Sequence, residues 1–430
     1  MIEVKEQQSA RVHKINSLEV VKYHLDNGLN VNALKSPSQG LVKMILSYDK
    51  PAQFAAASTL AEITFQLLKS GTRKHDLFSF VSLMEETGVM ISANAFSDYG
   101  VIEFVVLEDQ FDSLLPLIME MISVPAFPED EFERIRTLAL QNWRISRQQT
   151  HMVAREQFMK EMYHGHPYGI IPTEELLLSM KLEDVRGFHK TAIAEGSPVI
   201  YLAAFAPESI TGVLNNYFGR MPVVLGKSES PVGTFSSVSP VDRQNVLALT
   251  IPGSVQSSIR IGRRLFTRNH PDFVAGKVTA TILGGYFSSR LMANLREDKG
   301  YTYGVGAGII PLVLDGYLTV SAEVGNEHLQ NAVEEITKEI KRLRTEMVDH
   351  EELMTVKQYI SGSMLRETDG IFNQLSLLAT LTRQGVDAGW LHRYMHQVAS
   401  VSAEDILRFA DQYLNPDDLL QVTCGKQISQ

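Results

Sequence analysis

LREDKGYTYGVGAGIIPLVLDGYLTVSA, residues 295–322, has a counterpart about 212 residues earlier, LMEETGVMISANAFSDYGVIEFVV, residues 83–106. In each, a charged helix end runs into a glycine, Gly300 or Gly88. Two extended segments follow, divided by a turn reading Asp-Gly-Tyr or Asp-Tyr-Gly. In the earlier copy Val101, Glu103 and Val105 alternate with Ile102, Phe104 and Val106, the two-residue period of a strand with unlike faces. An amphipathic helix comes next in both. Leu329, Val333, Ile336, Ile340 and Leu343 make one stripe, and Phe111, Leu114, Leu115, Ile118 and Ile122 make the other. Acidic helix starts then follow, PEDEF and VDHEEL, where carboxylates suit the positive end of the helix dipole. A repeat this long exceeds any solenoid unit. It predicts an α+β chain of two homologous domains, each an antiparallel-rich sheet with helices packed on one face.

The stretch MPVVLGKSESPVGTFSSVSP, residues 221–240, has three prolines and two glycines and no helical period. It reads as a linker between domains at 1–220 and 241–430. A length of 430 residues agrees with two cores. The formal net charge of −10 argues against a nucleic-acid partner, because the one basic run, KEIKRLR, is mixed with glutamate on a helix. No apolar run of about 18 residues exists, so no membrane span is expected. The N-terminus lacks an apolar core and carries acidic residues, and a cytoplasmic location is expected. Cys424, in LLQVTCGK, reads as a buried structural thiol and rules out intrachain disulfides.

A helix is expected in TLAEITFQLLKSGT, residues 59–72, with Leu60, Ile63, Thr64, Leu67 and Leu68 on one face and Gly71 at its end. The spacing i, i+3, i+4 puts Glu62, Phe65 and Gln66 together on another face. From here the chain resembles the pitrilysin, insulinase and mitochondrial processing peptidase family, inverted-motif zinc peptidases, in its two-domain bacterial type. The resemblance runs through YHGHPYG (163–169), VIYLAAFAP (199–207), QSSIRIGRR (256–264), LGGYFSSRL (283–291) and LREDKGYTYGVGAG (295–308). Active members carry His-x-x-Glu-His on the first of these helices, two histidines for zinc and a glutamate to activate its water. Anchored on Gly71-Thr72, those positions here hold Glu62, Phe65 and Gln66. A third ligand would come from RTLALQNWRIS, which offers Gln141, Asn142 and Trp143. The resemblance is to a member that lacks the zinc-binding motif, so no metal and no catalytic residue are expected in this chain.

The resemblance assigns Arg296 and Tyr303 to substrate binding. By themselves they would read as a helix-end ion pair and a core tyrosine. An arginine fork suits a substrate carbonyl or carboxylate, and a phenol can donate to an oxyanion. The function implied is the zinc-free subunit of a heterodimeric metalloendopeptidase. A homologous zinc-bearing subunit would supply the metal, this chain half of a chamber for peptide substrates, and activity would arise only in the pair. Two other readings stand beside it: a structural subunit like the core proteins of a respiratory complex, and a stand-alone peptide-binding or chaperone-like protein. A homodimer of the isolated chain is left open. Gly304, Gly306 and Gly308 read as a strand approached by other backbone, since no P-loop lysine-hydroxyl pair follows. His164 with His166, and His392 with His396, read as turn and surface histidines.

Overall fold

The computed structural model describes residues 18–38, 40–222 and 245–426. Residues 223–240 of the expected linker lie outside the described residues.

Two sheets form. The first contains β1 (Val20–His24), β2 (Asn30–Lys35), β3 (Leu41–Tyr48), β4 (Met90–Ala95), β5 (Gly100–Leu107) and β6 (Val199–Ala204), in the order β1-β2-β6-β3-β5-β4. The second contains β7 (Val246–Thr250), β8 (Gln256–Leu265), β9 (Thr302–Pro311), β10 (Gly316–Gly325) and β11 (Leu420–Gly425), in the order β7-β11-β8-β10-β9. With β1 set aside, the two orders are the same path. Each has one parallel pair, β2 with β6 and β7 with β11, and antiparallel pairs elsewhere. The sheets are therefore mixed, and the paired sequence segments of 83–106 and 295–322 supply the matching hairpins β4–β5 and β9–β10.

The expected stripes face these sheets. Phe111, Leu114, Leu115, Ile118 and Ile122 are buried beneath the first sheet with Ile102, Phe104 and Val106. Val333, Ile336, Ile340 and Leu343 are buried against the second. The acidic starts open the helices Glu129–Ser146 and His350–Glu367, and the latter is capped by the Asp349 carboxylate accepting from the Glu351 N–H.

Each sheet also receives one helix from the other half of the chain, on the face opposite its own helices. Helix Ile371–Arg383 lies on β3 and β6, where Leu375, Leu378 and Ala379 bury Ile45, Val101 and Tyr201. Helix Thr150–Met162 lies on β8 and β11, where Ala154 and Phe158 bury Val422 and Cys424. Polar groups fix this exchange. The Lys43 ammonium, buried between the halves, reaches Glu103 at 2.8 Å and donates to the Ser376 hydroxyl at 2.9 Å. The two Asp/Gly/Tyr turns also meet. The Asp98 carboxylate accepts from the Val313 N–H at 3.2 Å and from the Tyr168 hydroxyl, and the Arg383 guanidinium lies 3.9 Å over the Tyr99 ring.

Candidate functional site

Helix Ser58–Leu67 has no side-chain cap at its start, and its orientation comes from packing. Ile63, Thr64 and Leu67 are buried as the pattern requires, and the Thr64 hydroxyl returns a hydrogen bond to the Leu60 carbonyl at 2.7 Å. The expected grouping of Glu62, Phe65 and Gln66 does not form. Glu62 and Gln66 are exposed, whereas Phe65 is fully buried. Its ring sits among Phe54 (5.9 Å between centroids) and Tyr48 (6.3 Å) and presses on Gly100, where an added Cβ would come 2.1 Å from the Phe65 Cζ. The i, i+3, i+4 rule sets angle along a helix, and the width of the buried face decides which of those side chains goes inward.

This arrangement does not fit zinc. Phe65 offers no ligand, and its buried ring stands at the position that the resemblance gives to the glutamate of active peptidases. Glu62 is the one ionisable group of the three, and surrounding protein mass raises its carboxyl above the ordinary range although its tip reaches solvent. Helix Glu129–Ser146 does pack beside the 58–67 helix. There Gln141 and Asn142 are exposed, and the Trp143 indole N–H donates to the Pro172 carbonyl at 2.9 Å. Among the described residues, no group of three or more His, Cys, Asp or Glu is placed to hold a metal ion. His166 is buried and accepts the Tyr168 N–H at Nδ1 (3.1 Å), while His164 is exposed, so the H-x-H pair is split. His392 and His396 are both exposed. Cys424 is buried in β11, and desolvation pushes its thiol up to about 11.

In the second half, Arg296 lies on a π-helical turn, Met292–Asp298. Wide turns of this kind recur at functional sites. The turn is held from below by the Asn294 amide, which donates to Glu335 at 2.8 Å and Glu339 at 2.9 Å. It closes through the Tyr301 N–H to the Leu295 carbonyl at 2.8 Å, with Gly300 at φ +65°, a left-handed backbone that glycine adopts without cost to a Cβ. The Arg296 guanidinium makes no ion pair among the described residues; it lies 4.8 Å over the ring of Phe287, itself 62% exposed. Tyr303 follows on β9, the edge strand, and is 92% exposed, so it is not a core tyrosine. The neighbouring phenol, Tyr301, stacks on His328 at 4.5 Å. No hydrogen bond or ion pair among the described residues joins Arg296 or Tyr303 to the 58–67 helix. The π-turn and the exposed Phe287 escaped the sequence reading; the aromatic in LGGYFSSRL, at a helix end rich in small residues, was the available signal.

Residues 179–360 match the peptidase M16 inactive domain. A Helicobacter pylori protein described as the non-peptidase homolog YmxG is 21% identical over 372 residues, 84% of this chain and 83% of its own length. The uncharacterized zinc protease YmxG of Bacillus subtilis is 21% identical over 308 residues, 71% of this chain and 73% of that one. Among solved structures, a peptidase M16 inactive domain from Pseudomonas fluorescens superposes with a TM-score of 0.84 at 23% identity, covering 96% of this chain and all (100%) of that one. The ferredoxin protease FusC, solved with Arabidopsis ferredoxin, superposes with a TM-score of 0.73 at 18% identity, covering 96% of this chain and 45% of that one.

Proposed function

We propose that this chain, which matches the peptidase M16 inactive domain over residues 179–360, is the zinc-free half of a two-subunit metalloendopeptidase. Its domains, 1–220 and 241–430 joined by 221–240, form one wall of a chamber closed by a homologous zinc-bearing subunit. Peptide substrates pair partly with an exposed sheet edge. Arg296 and Tyr303 reach the partner's site, the arginine gripping a substrate carbonyl or carboxylate and the phenol donating to the oxyanion that forms on attack.

One observation carries this reading. A charged fork without an ionic partner among the described residues and a nearly fully exposed phenol are held on a braced π-turn and the edge strand that follows it. A chain folding only for its own stability has no reason to brace two solvent-facing groups. Phe65 supports the other part, because its packing fills the space over Gly100 and leaves no room there for a metal-bound water. In FusC a unit of this fold occupies less than half of the chain, in keeping with use alongside a further unit.

The test is reconstitution with an inverted-motif zinc subunit from the same genome, followed by peptide cleavage. Activity absent from either chain alone and present in the mixture is expected. A stable complex that cleaves no better than the zinc subunit alone would transfer the weight to a structural role.

A further inference from the structure

Helix Phe273–Gly284 sits close on β9 because two glycines allow it. A Cβ added at Gly276 would come 2.6 Å from the Ile309 Cδ1, and one added at Gly284 would come 2.6 Å from the Ala307 main-chain nitrogen. Another stripe of the helix, Phe273, Lys277 and Thr281 at steps of four, lines a cavity of ≈ 270 Å³. Helices His350–Glu367 and Trp390–Ser400 close its other sides. β9 contributes wall here and not a free edge, since Ile309 is 1% exposed.

The cavity gathers polar side chains that find no partner in the protein. Arg268 and Lys277 both line it, and neither side chain makes an ion pair or a hydrogen bond among the described residues. Aromatic rings hold the Arg268 guanidinium instead, 4.7 Å over Trp390 and 5.5 Å over Phe273, and its Nε is buried without a hydrogen-bond partner. The Tyr394 ring stacks on Trp390 at 4.6 Å, and its hydroxyl also makes no hydrogen bond among the described residues. Desolvation, with Arg268 adding to it, holds Lys277 below its ordinary pKa. Burial pushes the Tyr394 phenol up, so it keeps a proton to donate.

The charges define what fits. Glu367 is the one carboxylate at the wall among the described residues; it is exposed, and it pairs with neither cation. Two cations against one carboxylate leave a single positive charge in a partly desolvated space, and an unpaired buried charge is costly. A monoanion neutralises it, whereas a dianion reverses the excess. The planar guanidinium matches the edge of a carboxylate, and the ammonium and the phenol can donate to its other lone pairs. Beyond these groups the wall is apolar at Phe273, Ile309, Ile360 and Met364. The volume falls below the about 300–1,000 Å³ of sites for drug-sized ligands, which restricts the occupant to a small molecule.

We propose that this cavity binds a small monocarboxylic acid with an apolar body, its carboxylate held by Arg268, Lys277 and the Tyr394 hydroxyl. Neither Arg296 nor Tyr303 lines the cavity, and no second subunit is needed to complete it. The site is independent of the proposed heterodimer, and its test uses the full chain alone.

The test is calorimetric titration of the full chain with phenylacetate, with the uncharged phenylacetamide and with inorganic phosphate. The acid is expected to bind about tenfold or more tightly than the amide, on the scale of one charge-assisted contact, and more tightly than phosphate. Lys277→Met and, separately, Arg268→Gln should each erase the preference for the acid, with thermal melts confirming folded protein. Glu367→Gln, at an exposed position, increases the excess positive charge and should tighten the acid without changing the amide. Equal binding of acid and amide, binding of neither, or tighter binding of phosphate would overturn the proposal. So would a preference that survives in folded Lys277→Met or Arg268→Gln, or a Glu367→Gln variant that binds the acid no more tightly than the wild type.

Discussion

The Phe65 ring occupies the space in which a side chain on Gly100 would stand: a Cβ there would lie 2.1 Å from the Phe65 Cζ. The helix that carries metal ligands in the peptidases this chain resembles is here locked to its sheet by an aromatic contact.

The purified chain should hold no stoichiometric zinc. Glu62 and Gln66 point to solvent, Phe65 to the core, and the neighbouring helix presents Gln141, Asn142 and a hydrogen-bonded Trp143. Elemental analysis after dialysis checks this. One zinc per chain, lost in Glu62→Ala, would contradict it.

Rebuilding the motif should damage the fold before it restores chemistry. Phe65→Ala is expected to cost about 3–5 kcal/mol, the usual range for a buried phenylalanine. Glu62→His, Phe65→Glu, Gln66→His should cost more, since it also places a carboxylate in that aromatic nest. Denaturant titration measures the loss. Robust proteolysis by the triple variant alone, at wild-type stability, would show that the space over Gly100 is easily vacated.

Tyr303→Phe should leave the melting temperature unchanged, because the hydroxyl stands in solvent with no partner among the described residues. In the reconstituted pair it should lower kcat roughly 10²-fold, the scale of one oxyanion donor. Arg296→Lys keeps the charge and loses the planar fork, and should raise KM more than it lowers kcat if the arginine grips the ground state. Wild-type kinetics in both would remove these residues from the site.

The two halves should depend on each other. Leu375 and Leu378 cover β3 and β6, and Phe158 covers β8 and β11, each from the opposite half. Leu378→Ala should therefore cost about 2–5 kcal/mol and lower the stability of the whole chain in a single transition. Fragments 1–222 and 245–430 made separately should be poorly soluble and should recover structure on mixing, read by circular dichroism and size exclusion. Two independently stable, non-associating fragments would refute this.

Acid should weaken the first half through His189. Its buried ring has Nε2 2.7 Å from the Ile122 carbonyl and packs on Phe127, and desolvation holds its pKa below the ordinary 6.5. The unfolded chain then takes up the proton first. The stability His189 contributes is complete above pH 6.5 and is lost as pH falls below it toward the folded pKa. Urea midpoints from pH 7.5 to 5 should fall more steeply for the wild type than for His189→Gln. Parallel slopes would show that this imidazole does not govern the response.

Local pattern determined much of this protein by itself. The two-residue alternation through 101–106 and the stripes at Phe111 and Val333 follow from burying one face of a strand or helix, a matter of period alone. The likeness of 83–106 to 295–322 made the two-sheet plan legible, and the family resemblance, anchored on Gly71-Thr72, put Glu62, Phe65 and Gln66 at the positions of the metal motif. Tertiary structure decided what period leaves open. Whether Phe65 joins Glu62 outside or Leu67 inside depends on how wide a face the sheet and Phe54 cover. The exchange of helices 150–162 and 371–383 depends on contacts between residues some two hundred positions apart, for which no local preference exists.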